Sequence, residues 1–189
     1  SRTHSPQARA VAARPSRHNV DVIHVPAPDA FAVFGVARTL DLDPQQLELR
    51  YLKLSRECHP DHNRSQTSAD CVAVLQRSAE INDAWQVLRD PWRRARALLE
   101  AESQGVLDRN KKLDPMFLME ALELAEEVAH ADSDSDSQTA LTEKLNAAIE
   151  ADYQALRSDV QKSDFDTAAK RVHQSHYHLK ALHDLEAKS

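Results

Sequence analysis

Apolar residues recur along this chain at helical spacing, and proline or glycine marks where each run stops. Leu47, Tyr51, Leu54 and Cys58 fall at i, i+4, i+7 and i+11, one face of a helix. Pro60 lacks a backbone donor and biases His59 away from helical geometry, so that helix ends at or before His59. A polar stretch runs to Ser68, and a second pattern follows with Val74, Ile81, Trp85 and Leu88 on one face. Upstream, Asp29 is a candidate N-cap for a short helix that holds Phe31 and Phe34 and stops at Gly35. Asp43 caps the next helix with Pro44 at its first position, and Gln46 completes a capping box. Asp90-Pro91 stops one helix and starts another, Trp92 to about Ser103, and Trp85, Leu88, Leu98 and Leu99 serve as core filler.

Residues 104–113 are polar and predict a connection between two domains. Asp114-Pro115 repeats the cap-plus-proline device. Beyond it lie three helical stripes: Phe117, Ala121, Leu124 and Val128; then Leu141, Leu145, Ile149, Tyr153, Leu156 and Val160; then Phe165, Ala169, Val172, His176 and Leu179. Ser163-Asp164 opens the last of these helices. The prediction is an all-α protein. A helical hairpin with flanking helices occupies residues 26–103, residues 104–113 link, and an antiparallel three-helix bundle occupies 114–189.

Composition narrows this picture. Two glycines in 189 residues leave little scope for phosphate-cradling loops, and 41% hydrophobic residues supply a core. The formal charge of −6 argues against bulk attraction to nucleic acid. Cys58 and Cys71 form no Cys-x-x-Cys pair, which points to packing in a reducing compartment rather than a disulfide framework. Residues 1–20 carry Arg2, Arg9, Arg14 and Arg17 and no acid. Such a segment reads either as organelle-targeting sequence, already trimmed at Ser1, or as a disordered basic tail extending to about residue 25. The expected location is the mitochondrial matrix or the bacterial cytoplasm.

The candidate chemistry is that of binding. His59, Pro60 and Asp61 head the loop between the two hairpin helices, behind Arg50, Lys53 and Arg56, whose three-residue spacing sets a positive stripe away from the apolar face. The helix after Pro115 carries more apolar residues than one stripe needs: Leu118, Met119 and Leu122 are left over, beside Glu123 and Glu126. Spacing alone leaves two readings open, a wide core stripe or a patch for a partner. Asp132, Asp134 and Asp136 open like a calcium loop, with Glu143 at the twelfth position. Ser137 stands where the sharp turn wants glycine, so a solvated helix connection is the better reading. His173, His176 and His178 lack an accompanying cysteine or carboxylate cluster, and His176 is expected in the core with His178 outside. No nucleophile is tied to a base, so no enzyme active site, metal or cofactor is predicted.

The His-Pro-Asp loop after a basic helix resembles the J-domain of DnaJ-like co-chaperones, and the segment Ile81 to Pro91 looks like its third-helix signature. From about Phe31 to the C-terminus, and above all at Phe117-Leu118-Met119-Glu120-x-Leu122-Glu123-Leu124-x-Glu126-Glu127, the chain resembles the HscB family, J-type co-chaperones of iron–sulfur cluster biogenesis. The resemblance implies docking of His59, Pro60, Asp61, Arg50, Lys53 and Arg56 on a DnaK/HscA-type chaperone, whose ATP hydrolysis would be stimulated. It also implies binding of an IscU-like scaffold at Leu118, Met119, Leu122, Glu123, Glu126 and Tyr177. One further acidic position of that family surface aligns with His130. Two other readings stand beside this one. The same J-domain could serve a different client, or the protein could be a helical interaction or metal-binding module with an inert His-Pro-Asp.

Overall fold

The computed structural model describes residues 29–58, 68–131 and 135–188. They form helices α1 (Ala30–Phe34), α2 (Pro44–Glu57), α3 (Ser68–Leu88), α4 (Pro91–Glu102), α5 (Val106–Arg109), α6 (Pro115–His130), α7 (Ser135–Gln161) and α8 (Phe165–Glu186), with no strand among the described residues. The all-α expectation holds, with a hairpin of α2 and α3 at one end and the bundle of α6, α7 and α8 at the other.

The helix starts follow from short-range chemistry. Three times an aspartate N-cap precedes a proline at the first helical position, where the missing N–H costs nothing. Asp43 accepts from the Gln45 amide at 2.9 Å, Asp90 from Arg93 at 2.8 Å and Asp114 from Met116 at 2.7 Å. At α2 the cap bonds the amide of Gln45 rather than that of Gln46, the position a capping box would use. Gly35 ends α1 in the left-handed region at φ +61°, donating to Ala32 O while Val36 donates to Phe31 O. A Cβ there would lie 2.7 Å from Arg50 Nη2, so glycine also makes room for that side chain.

One apolar cluster joins the hairpin end to the bundle. Phe31, Phe34, Leu47, Ile81, Leu88 and Leu99 share it with Leu156 of α7 and Ala168, Ala169 and Val172 of α8. Trp85 stacks on Tyr51 at 4.8 Å and on Phe34 at 6.5 Å, which locks α1, α2 and α3 together. Trp92 of α4 meets Tyr153 of α7 edge-on at 5.3 Å. A second cluster of Val128, Leu141, Leu145, Ala181 and Leu185 fills the far end of the bundle.

The stretch expected as a polar connection is packed. Val106 and Leu107 are buried in the shared core, and Glu100 accepts from the Gly105 and Leu107 amides, satisfying the start of α5. A one-turn helix with two apolar residues is too short for periodicity to reveal.

The inward face of α8 also differs from the sequence reading. Ala168, Ala169, Val172, Ser175, Ala181 and Leu185 are buried, whereas His176 is exposed. His178, expected outside, is mostly buried and donates from Nδ1 to Asp152 Oδ2 of α7 at 2.6 Å. The reason is steric: α8 packs against α4, α5, α6 and α7, and small residues allow that approach on a face rotated from the aromatic-led stripe.

The aspartate-rich run passes into α7, which already includes Asp136 and Ser137, while Asp132 and Asp134 lie outside the described residues. Lys188 Nζ donates to Val128 O at 2.8 Å and Ala129 O at 2.7 Å. The C-terminal ends of α6 and α8 are therefore side by side, and the two helices run parallel with α7 antiparallel between their ends.

Candidate functional site

Two faces carry the residues singled out by sequence. The first is α2. Lys53 and Arg56 are exposed on it, as expected of a positive stripe. Arg50 shares that exposure but has a structural task, because its Nε donates to Phe34 O at 2.7 Å and so closes the C-terminus of α1. Leu49 and Leu52 are exposed among these cations, an apolar contribution that the basic spacing did not suggest. The loop residues His59, Pro60 and Asp61 lie outside the described residues.

The second face is built by α6 and α8. Ala121 and Val128 of α6 turn inward and are buried, and Phe117 and Leu124 are half-buried. The remaining apolar side chains turn out: Leu118 is 40% exposed, Met119 58% and Leu122 61%. The wide-core reading of this helix therefore does not fit the packing. Glu123 and Glu126 are exposed on the same helix. Tyr177 of α8, 39% exposed, stands edge-on to Phe117 with ring centroids 5.7 Å apart. That contact ties the α8 aromatic to the α6 patch. Phe117 is in turn edge-on to His178 at 6.1 Å, which links it to the imidazole held by Asp152. His130, at the position where the resemblance expected an acid, closes α6 through a 2.8 Å contact of Nδ1 with Glu126 O. Met116, 65% exposed, extends the patch by one turn toward the helix start. Its place three residues before Met119 was the available signal, hidden behind its role as the residue capped by Asp114.

Neither face resembles a catalytic or metal centre. The described residues contain no group of three or more His, Cys, Asp or Glu side chains placed to hold a metal ion. They also contain no helix long and apolar enough to cross a membrane.

Comparison with known proteins identifies both parts of the chain. The DnaJ domain model matches residues 29–97, and the HSCB C-terminal oligomerisation domain model matches residues 113–186. The structure is similar to that of the chaperone HscB from Vibrio cholerae, at 29% identity and a TM-score of 0.75, covering 85% of this chain and 96% of that one. It is also similar in fold to the human co-chaperone protein HscB, at 21% identity and a TM-score of 0.75, covering 97% of this chain and 94% of that one. A J-domain followed by the HscB-type C-terminal domain, in a chain whose structure is similar to that of HscB chaperones, places this chain in the HscB family of J-domain chaperones.

Proposed function

We propose that the protein is a co-chaperone that holds an IscU-like iron–sulfur scaffold on its α6/α8 face and presents it to a DnaK/HscA-type chaperone. The observation that carries this reading is the outward turn of Leu118, Met119, Leu122 and Tyr177, which a self-contained bundle would bury. These residues, with Glu123 and Glu126, are the positions at which the family resemblance expects scaffold contact. On the other face, Lys53, Arg56 and the partly engaged Arg50 steer α2 toward an acidic groove on the chaperone. His59, Pro60 and Asp61 then reach the chaperone's domain interface. Asp61, held beside the rigid Pro60, pairs with a chaperone cation. The protein catalyses nothing itself; ATP hydrolysis belongs to the chaperone. Holding scaffold and chaperone on one molecule raises the effective concentration of each for the other, and cluster transfer follows. The compartment, bacterial cytoplasm or mitochondrial matrix, is part of the same proposal.

The test is steady-state ATP hydrolysis by the chaperone with this protein or its Asp61→Asn form, each with and without scaffold. Stimulation lost in the substituted form and enhanced by scaffold is expected. Stimulation indifferent to scaffold points to a J-protein with another client, and no stimulation overturns the co-chaperone reading.

A further inference from the structure

Beside Tyr177, at the segment that leads into α6, lies an open notch of about 550 Å³. Its walls come from three parts of the chain: Arg96 of α4, Lys111 and Leu113 of the segment leading into α6, and His173, His176 and Tyr177 of α8. Two permanent cations and two imidazoles thus converge in a chain whose formal charge is −6. His173 Nε2 donates to Leu107 O at 2.9 Å, which fixes its ring against α5. His176 stands edge-on to Tyr177 at 6.2 Å. Lys111 pairs with Asp108 at 2.7 Å, with both side chains more than half exposed, and exposed pairs of this kind add little. Arg96 and His173 also act on Asp108, more weakly than Lys111 does, so one carboxylate is set against the notch's cations.

Past Leu122 the exposed charges of α6 have the opposite sign. Glu123, Glu126 and Glu127 are exposed there, and of these only Glu127 has a lysine partner, Lys144 at 2.6 Å, among the described residues, while Glu120 lies within the apolar strip. Leu118, Met119 and Leu122 lie between the two poles. At about 1.5 Å per residue, roughly 12 Å separates Leu118 from Glu126.

We infer that the α6/α8 binding face continues round Tyr177 into this notch, which receives a carboxylate-bearing segment of the same partner that seats on Leu118, Met119 and Leu122. The inference rests on the scaffold-binding reading above and adds a polarity to it. The partner lies along α6 in one direction, with acidic groups over Arg96 and Lys111 and basic groups over Glu123 and Glu126. A free small anion is the poorer occupant, because the notch offers it solvated cations and an apolar wall of Leu113 and Tyr177. A carboxylate carried on a segment already held by the apolar strip arrives at high effective concentration. The reversed orientation would place like charges together at both ends, which disfavours it twice over.

The experiment measures binding of the full chain to an IscU-type scaffold, at low salt and at about 1 M salt, where the Debye length falls to about 3 Å. The variants are Arg96→Glu with Lys111→Glu, the neutral pair Arg96→Gln with Lys111→Gln, and Leu118→Ser with Leu122→Ser. Charge reversal is expected to weaken binding about five- to tenfold at low salt, chiefly through the association rate, with the neutral pair intermediate and the difference gone at high salt. Unchanged low-salt affinity after charge reversal, or a loss equal at both salts, overturns the notch while leaving the scaffold reading intact. Failure of the unsubstituted protein to bind scaffold overturns both. Loss of binding in the leucine variant at either salt, with wild-type circular dichroism, shows that the apolar strip itself is the anchor.

Discussion

Arg94 is buried, and its charge is placed by two carbonyls from opposite sides of the hairpin end. Its Nε donates to Leu88 O at 2.8 Å, satisfying the end of α3, and its Nη1 donates to Leu40 O at 2.6 Å, fixing the approach to α2. Hydrogen bonds from a charged donor contribute about 1.5–3 kcal/mol each, and a buried acceptor left unpaired loses its own solvation as well. Arg94→Met keeps much of the volume and removes both bonds. Its stability is expected to fall by about 2–4 kcal/mol, read as a lower urea midpoint at unchanged slope. Sequence did not single this residue out, because Arg93, Arg94 and Arg96 look alike in an exposed basic run. Only the i, i+4 step from Arg94 to Leu98 places it on the buried stripe. The patch on α6 was legible for the opposite reason. Leu118, Met119 and Leu122 exceed what one core stripe can use, and an excess of apolar side chains is visible in one dimension. The cationic notch was not, because Arg96, Lys111 and His176 are brought together only by the packing of α4 and α8.

At the scale of elements, local chemistry predicted where helices start better than it predicted which side they bury. The three Asp-Pro starts follow from residues adjacent in sequence. The inward face of α8 does not, because it depends on four neighbouring helices at once. The turn between α7 and α8 falls between these cases. Ser163-Asp164 was read as a helix start, and Asp164 does cap α8, accepting from the Thr167 amide at 3.1 Å. The bond to Thr167 also holds the Asp164 carboxyl below its ordinary range. The same two residues also finish α7. Asp164 N donates to Asp159 O at 2.9 Å and Ser163 N to Val160 O at 3.0 Å, the paired 6→1 and 5→2 bonds of a Schellman ending. That motif wants a left-handed residue, and Ser163 supplies it at φ +58° with a side chain that glycine would lack. Ser163→Gly removes this strain and gives back part of the gain through the looser unfolded chain. The expected net effect is stabilisation of roughly 1 kcal/mol, measured as a rise in the thermal midpoint.

At the scale of the whole molecule, two apolar clusters divide the work unequally. The larger one takes Phe31 and Phe34 from the first helix and Leu156, Ala168 and Val172 from the last two, so the hairpin end and the near half of the bundle share one interior. Arg157 of α7 reinforces this from outside, pairing with Asp41 at 2.6 Å. The smaller cluster holds only the far end of α6, α7 and α8. Leu156 and Leu145 lie on the same helix, both almost fully buried, eleven residues apart, one in each cluster. Truncating either to alanine removes the same atoms and costs about 2–5 kcal/mol. What differs is where the loosening goes. Leu156→Ala opens the shared interior, so amide exchange is expected to quicken in α1 and α4 as well as in α7 and α8. Leu145→Ala opens only the far cluster, so exchange quickens in α6 and the C-terminal part of α8 while α1 and α4 keep their protection. If Leu156→Ala left α1 and α4 untouched, the two ends would be separate cooperative units despite their common core. The exposed faces of α2 and of α6/α8 would then have no rigid connection between them. Protection lost together across α1, α4, α7 and α8 instead means that the larger cluster couples the hairpin end to the bundle as one cooperative unit.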